Sequence, residues 1–251
     1  MMPTFSKLLA LLSLLATVSC GPTYYKPTVM NIPNFREKDE VHLATNIGTS
    51  NFLYSFHGDI QAAYALTNHL AIQANYMRSS DAVSYRNATS DEFDTDRFFS
   101  LGECALGYFM PFDKHGTFSI FGGYGAGKVR NNLKLNGECS ADLGKLFVQS
   151  SMGYRDENIE FIGSIKLAAL SYTNRQQTLK QQYDIERFNA LNGLIPMIET
   201  GWTVRFGSEK VKFQCQATTA LELGESPLFQ YSILTLSGGI CVQLNAKKKS
   251  K

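Results

Sequence analysis

The sequence has little charge, little proline and few cysteines, and each shortage excludes a class of protein. Charged residues make up 18% of the 251 positions, and prolines number 7, whereas aromatic residues reach 12%, which is not the composition of a disordered chain. With 24 basic and 22 acidic residues, the net charge of +2 offers no basic surface for nucleic acid. Five cysteines without a Cys-x-x-Cys pair favour neither a disulfide scaffold nor a metal or redox site. We therefore expect an ordered, β-rich chain that carries no metal or cofactor.

Long apolar runs are also lacking. The longest, residues 8–18, follows Lys7 and is too short for a membrane helix, which needs about 20 residues. It ends in Thr17-Val18-Ser19-Cys20, which is typical of a bacterial lipoprotein signal with an acylated cysteine. The sequence therefore predicts a signal peptide over 1–19 and lipidation at Cys20, the alternative being an ordinary signal peptide cut near Ser19.

Two further segments lack hydrophobic periodicity. Residues 20–38 contain Pro22, Pro27 and Pro33, and we expect them to form an extended tether outside the folded core. Residues 246–251 include four lysines and are predicted to be a solvated tail on the periplasmic side.

From about residue 40 onward, apolar and polar side chains alternate with the period of a β-strand. Ten segments show this pattern: 40–48, 55–66, 69–78, 97–110, 117–128, 146–154, 159–172, 195–206, 210–222 and 230–244. Every second connection between these segments is short and the others are mostly long, as in barrels with short periplasmic turns and long outer loops. The sequence thus predicts an all-β fold over 39–245, a closed antiparallel up-and-down transmembrane β-barrel of about ten strands.

Periodicity alone does not tell whether the apolar face of each strand points outward to lipid or inward to the core of the barrel. A soluble, lipid-anchored barrel of the lipocalin sort, binding a small apolar ligand in its core, would alternate in the same way. The polar faces are rich in small neutral residues, and aromatic residues recur near strand ends, which favours the membrane barrel.

If the apolar faces meet lipid, the polar faces line the lumen. The charged residues on those faces are nearly balanced in sign: Asp59, Glu103, Lys166, Glu199, Arg205, Lys212 and Glu222. We expect a network of paired charges in a narrow, plugged lumen, since unpaired buried charges are costly. The alternative for the same residues is a selectivity or proton pathway.

Catalytic signals are sparse. Only one of the four histidines, His57, lies near the predicted outer rim, with Asp59 two residues along the same strand face. A histidine beside a carboxylate can act as a general base, so these two residues are the candidates for an outer-membrane hydrolase with a rim site. Residues 176–194 are compatible with a short helix capping the outer mouth or with a polar loop, and Cys139 is expected to be an exposed thiol in an outer loop.

Several short motifs carry a family resemblance. They are Cys20, Tyr24-Tyr25-Lys26-Pro27, Asn31-Ile32-Pro33, Glu37-Lys38, Gln61-Ala62-Ala63-Tyr64-Ala65 and Asn68-His69-Leu70-Ala71. In these motifs the chain resembles small, largely uncharacterised outer-membrane β-barrel proteins of Bacteroidetes, many of them lipoproteins. The resemblance implies the place and the fold, a barrel in the Gram-negative cell outer membrane, more than an activity. We expect anchoring through Cys20 and a structural, surface-interaction or binding role more than an enzymatic one. The expected partners are outer-membrane lipid, the barrel-insertion and lipoprotein-export machineries and an envelope protein.

Overall fold

The computed structural model describes residues 22–50, 55–86, 92–224 and 228–245. The predicted signal peptide, Cys20 and the tail at 246–251 lie outside these ranges.

Ten antiparallel strands form a closed barrel, in which each strand pairs with its neighbours in sequence and β1 pairs with β10. The strands are β1 (Glu40–Ser50), β2 (Ser55–Ala65), β3 (Leu70–Arg86), β4 (Glu92–Pro111), β5 (Gly116–Leu133), β6 (Gly137–Arg155), β7 (Ile159–Gln177), β8 (Ile195–Gly207), β9 (Val211–Glu222) and β10 (Leu234–Asn245). The predicted fold class is confirmed.

The two ends of the barrel differ in their connections. The end where β1 begins, here the turn end, carries four short turns at 66–69, 112–115, 156–158 and 208–210. The opposite end, the loop end, carries the remaining connections. Among them, residues 178–194 contain the helix α1 (Gln182–Asn189), within the region predicted to cap the mouth. In the described ranges, no helix is long and apolar enough to cross a membrane.

Two connections predicted as long outer loops, 79–96 and 129–145, are largely strand. Strands β3 and β4 remain paired as far as Arg86 and Glu92, and only residues 134–136 separate β5 from β6. In the β5–β6 extension, outward charged residues pair across the hairpin, Lys128 with Asp142 and Arg130 with Glu138. The sequence predicts the end of a strand at its last outward apolar residue, but the hydrogen-bonded pairing of the strands continues beyond that residue. The wall is therefore taller along β3–β7 than elsewhere.

The amino-terminal residues 22–35, which we call the luminal segment, depart most from prediction. They are extended, but every one of them is buried, and the tether predicted outside the core lies inside the barrel. The luminal segment needs no alternating pattern because wall side chains surround it on all sides.

Candidate functional site

Inward side chains of β4, β6, β7 and β8 form a central charge cluster of Glu103, Lys145, Lys166 and Glu199. The ammonium of Lys145 lies 2.8 Å from Glu103 and 2.9 Å from Glu199, and Lys166 lies 3.1 Å from Glu103. These side chains are no more than 1% exposed. Each carboxylate therefore faces a cation at hydrogen-bonding distance, the arrangement that buried charges require.

The luminal segment is bound directly to this cluster. Lys145 donates a hydrogen bond of 2.7 Å to the hydroxyl of Tyr25, and that hydroxyl donates in turn to Glu199. Thr28 donates to Glu103. The central charge cluster thus holds the side chains of the segment as well as balancing its own charges.

Nearer the turn end, five residues form a second group, the turn-end charge cluster of Glu40, Arg155, Glu160, Arg205 and Lys212. Glu160 accepts hydrogen bonds from Arg205 at 3.0 Å and from Lys212 at 2.8 Å, and Arg155 pairs with Glu40 at 3.1 Å. Towards the loop end, Lys26 pairs with Asp81 and donates to two serines of the wall.

The main chain of the luminal segment is held by wall side chains. Gln216 accepts from the Met30 amide at 2.5 Å and donates to its carbonyl at 3.1 Å. Other wall side chains donate to the segment's carbonyls: Gln61 to Val29, Gln149 to Asn31, Arg205 to Ile32 and Gln243 to Pro33. An extended chain outside a sheet leaves its polar groups without ladder partners, and buried groups of this kind must be hydrogen-bonded. The lumen is therefore built to bind a peptide main chain.

At the loop end, the luminal segment contacts the β9–β10 connection and helix α1. The Tyr24 amide donates to the Gln230 carbonyl, and the Ser232 amide donates to the Tyr25 carbonyl, both at 2.9 Å. The ring of Tyr24 lies 6.0 Å from that of Phe188, a buried residue of α1.

At the turn end, the same segment leads into β1. Arg155 donates to the Asn34 carbonyl at 3.1 Å, and the Arg36 side chain donates to the Asp113 carbonyl in the β4–β5 turn at 2.7 Å. The segment therefore passes through the barrel from one end to the other.

A glycine of the wall makes room for one residue of the segment. A Cβ atom added at Gly201 would lie 2.7 Å from the sulfur of Met30. We expect Gly201→Val to displace the luminal segment and expose Tyr25 to chymotrypsin, which would be measured by mass spectrometry of the folded protein. Gly163→Val on the outward face of the neighbouring strand is the control and should leave the segment protected; equal protection in both variants would contradict the close fit.

The structure places the predicted luminal charges as follows. Five of them, Glu103, Lys166, Glu199, Arg205 and Lys212, lie in the two clusters. Asp59 is buried and bonds to the amide of Asn46 rather than to a cation, and Glu222 is half-buried at the loop end.

Sequence reasoning missed two central members of these clusters. Lys145 was placed in a loop ending at 145, one residue before the predicted strand. Glu160 shares the strand face of Lys166, and strand parity alone could have found it.

Among the described residues, no hydrogen bond joins the two candidate residues for hydrolysis, His57 and Asp59. His57 is buried with its ring against Gly48, and neither ring nitrogen has a hydrogen-bond partner within the part of the chain that the structure describes. The same part holds no group of three or more His, Cys, Asp or Glu side chains placed to bind a metal. Cys139, expected to be exposed, is buried, because it lies on an inward position of β6.

The outer face of the barrel is apolar over a broad belt. Ile47, Leu146 and Trp202 are 77%, 65% and 69% exposed, whereas Lys145 and Glu199 inside are fully buried. This distribution reverses that of a soluble barrel, and it matches a wall solvated by lipid tails. The chain is an outer-membrane β-barrel. The soluble alternative with an apolar core is therefore wrong.

Comparison with known proteins gives similarity at the level of solved structures. No family model and no curated protein matches the chain. Similar solved structures include the NanC porin (TM-score 0.44, 9% identity, 80% of this chain and 100% of that chain) and the outer membrane protease OmpT from Escherichia coli (0.44, 9%, 86% and 99%). The translocator domain of the autotransporter NalP from Neisseria meningitidis is similar over 95% of this chain and 93% of its own, with a TM-score of 0.49 and 9% identity.

Proposed function

We propose that this outer-membrane barrel is closed by its own luminal segment and has a structural, surface-interaction or binding role. The observation that carries the proposal is the set of wall side chains that bind the segment's main chain from Val29 to Pro33. A transport pathway would need those side chains free for a solute.

The size of the barrel supports a plugged lumen. Eight-stranded barrels have interiors that side chains just fill, and ten strands add little width. Here a peptide of 14 residues and the two charge clusters share that space. We propose that they leave no continuous aqueous path.

The paired charges fit a structural role better than a conducting one. Lys145 faces two carboxylates and the Tyr25 hydroxyl, and Arg205 binds both Glu160 and the Ile32 carbonyl. A permeating ion would have to break these pairs, whereas a fixed segment is stabilised by them.

The loop end is the part available for partners. Helix α1 keeps Tyr183 exposed while it buries Phe188 against the luminal segment, and Leu194 beyond the helix is 73% exposed. We propose that these exposed side chains of the cap contact an envelope protein.

Lipidation of Cys20 belongs to the same proposal. In that modification, the cysteine sulfur forms a bond to the glycerol carbon of a phospholipid that carries the phosphate headgroup. The bond between that carbon and the phosphate oxygen breaks, and the released phosphate takes up the thiol proton. The lipoprotein signal at 17–20 and the resemblance to Bacteroidetes barrel lipoproteins support it. Its partners are then the lipoprotein-export and barrel-insertion machineries and outer-membrane lipid.

Conductance in planar lipid bilayers tests the plug. We expect the native protein to be silent and a variant lacking residues 22–35 to conduct, because removing the segment empties the lumen. Heat-dependent migration on gels would verify that the variant is folded, and Gly201→Val offers a full-length variant with a displaced segment. Steady conductance of the native protein would contradict the proposal.

A further inference from the structure

The luminal segment runs in one direction, and this direction decides where the mature amino terminus lies. Arg36 is held at the turn end by the Asp113 carbonyl, whereas Tyr24 is held at the loop end by the Gln230 carbonyl. Followed towards the amino terminus, the chain therefore climbs through the lumen away from the periplasmic turns.

The attachment at the loop end is made by several independent contacts. Tyr25 forms a parallel β-bridge with Tyr231 in the β9–β10 connection. The Thr23 carbonyl accepts from Asn131 near the end of β5, and the Tyr24 carbonyl accepts from Tyr172 on β7. Three parts of the wall thus fix the first described residues at the same end.

The distance from there to Cys20 is short. One residue, Gly21, separates Cys20 from Pro22, and these two steps of extended chain span at most about 7 Å at about 3.6 Å each. The apolar band of an outer-membrane barrel is about 25 Å tall. Cys20 therefore cannot return to the turn end, and the filled lumen offers it no way back.

We infer that the mature amino terminus leaves the barrel on the cell surface, and that the lipid on Cys20 inserts into the outer leaflet of the outer membrane. This inference rests on the proposed function for the acylation of Cys20 and for the occupied lumen. It differs from the usual arrangement of a barrel, in which both termini lie on the periplasmic side.

The taller and lower parts of the wall are consistent with this exit. Strands β3–β7 extend beyond the apolar belt, whereas β1 ends at Ser50 and β10 begins only at Leu234. The β9–β10 connection that carries Tyr231 lies beside this lower part. A lipid attached near the mouth thus has a shorter path over the wall to the surrounding leaflet.

A protease added to intact cells tests the inference on the full chain. A site for a sequence-specific protease is inserted between Gly21 and Pro22, and the cells are labelled with an alkyne analogue of palmitate. The control chain carries the same site between Ser208 and Glu209, in the exposed β8–β9 turn. Acyl label and size of the barrel are then read on a gel before and after protease.

We expect protease on intact cells to remove at least nine-tenths of the acyl label from the barrel, which stays folded in the outer-membrane fraction. The control chain should be cut only after the outer membrane is permeabilised. Cutting of the Gly21 site only after permeabilisation would overturn the inference. If the barrel carries no acyl label before protease is added, acylation of Cys20 is refuted, and the assignment of the lipid to the outer leaflet with it. The decrease in size on cleavage would still show on which side of the membrane the amino terminus lies.

Discussion

Replacing Lys145 with methionine is expected to lower the free energy of unfolding by about 3–5 kcal/mol, the cost typical of removing one partner of a buried ion pair. Lys145 lies 2.8 Å from Glu103 and 2.9 Å from Glu199, and it also binds the Tyr25 hydroxyl. Methionine fills a similar volume but leaves Glu199 without its cation. The loss is electrostatic, because the replacement leaves almost no cavity.

The matched control is Lys128→Met on β5. Lys128 pairs with Asp142 at 3.6 Å, but their side chains are 60% and 39% exposed, and such surface pairs contribute at most about 1 kcal/mol. Unfolding by urea in detergent micelles is followed by the fluorescence of Trp202, the one tryptophan of the chain, which faces outward. Equal losses in the two variants would show that the central charge cluster does not stabilise the barrel.

The barrel could be predicted because its wall repeats one simple rule. In β9, Lys212, Gln214 and Gln216 alternate with Val211 and Phe213, and the structure buries the first set and exposes the second. Alternation follows from strand geometry itself, so it is visible in any single sequence. The same rule placed Glu103, Lys166, Glu199 and Arg205 on the inner face, where ion pairs now hold them.

The ends of the strands were harder to predict. A strand that leaves the membrane exchanges outward apolar residues for polar ones such as Lys128 and Arg130, so its alternation of hydrophobicity fades although its pairing continues. Lys145 was missed for this reason. It lies opposite Gly125 on β5, in a stretch of β6 that is paired with β5 as part of the wall. The hydrophobicity pattern of the sequence predicts a loop for the same stretch.

The luminal segment could not be recognised from its own residues. A tether in water and a peptide surrounded by polar side chains both lack periodicity, because neither has one apolar face. The signal for the segment was in the wall. The inward glutamines Gln61, Gln149 and Gln243 are uncharged and form no ion pairs, and their side-chain amides donate hydrogen bonds to carbonyls of the segment. A lumen filled by paired charges alone would not need them.

Replacing Ile165 with arginine is expected to destabilise the barrel in phospholipid vesicles by about 2–4 kcal/mol, the cost of a cation on the lipid face near the bilayer midplane. Ile165 is 53% exposed and lies on β7 between the outward residues Phe161 and Leu167, which are also exposed. A guanidinium there would lie among lipid tails, and its cross-strand neighbours are the uncharged Ser150 on β6 and Thr200 on β8. The effect is measured by urea unfolding in vesicles and by recovery of the variant in the outer-membrane fraction.

The control for this test lies on the same strand. Thr173 is outward and exposed beyond the apolar belt, so Thr173→Arg should cost no more than about 1 kcal/mol, as expected near or outside the interface. If water covered the whole outer face, both substitutions would be surface changes within about 0.5 kcal/mol of the native protein. A difference of about 2 kcal/mol or more between Ile165→Arg and Thr173→Arg therefore distinguishes a wall in lipid from a wall in water, using two residues of one strand.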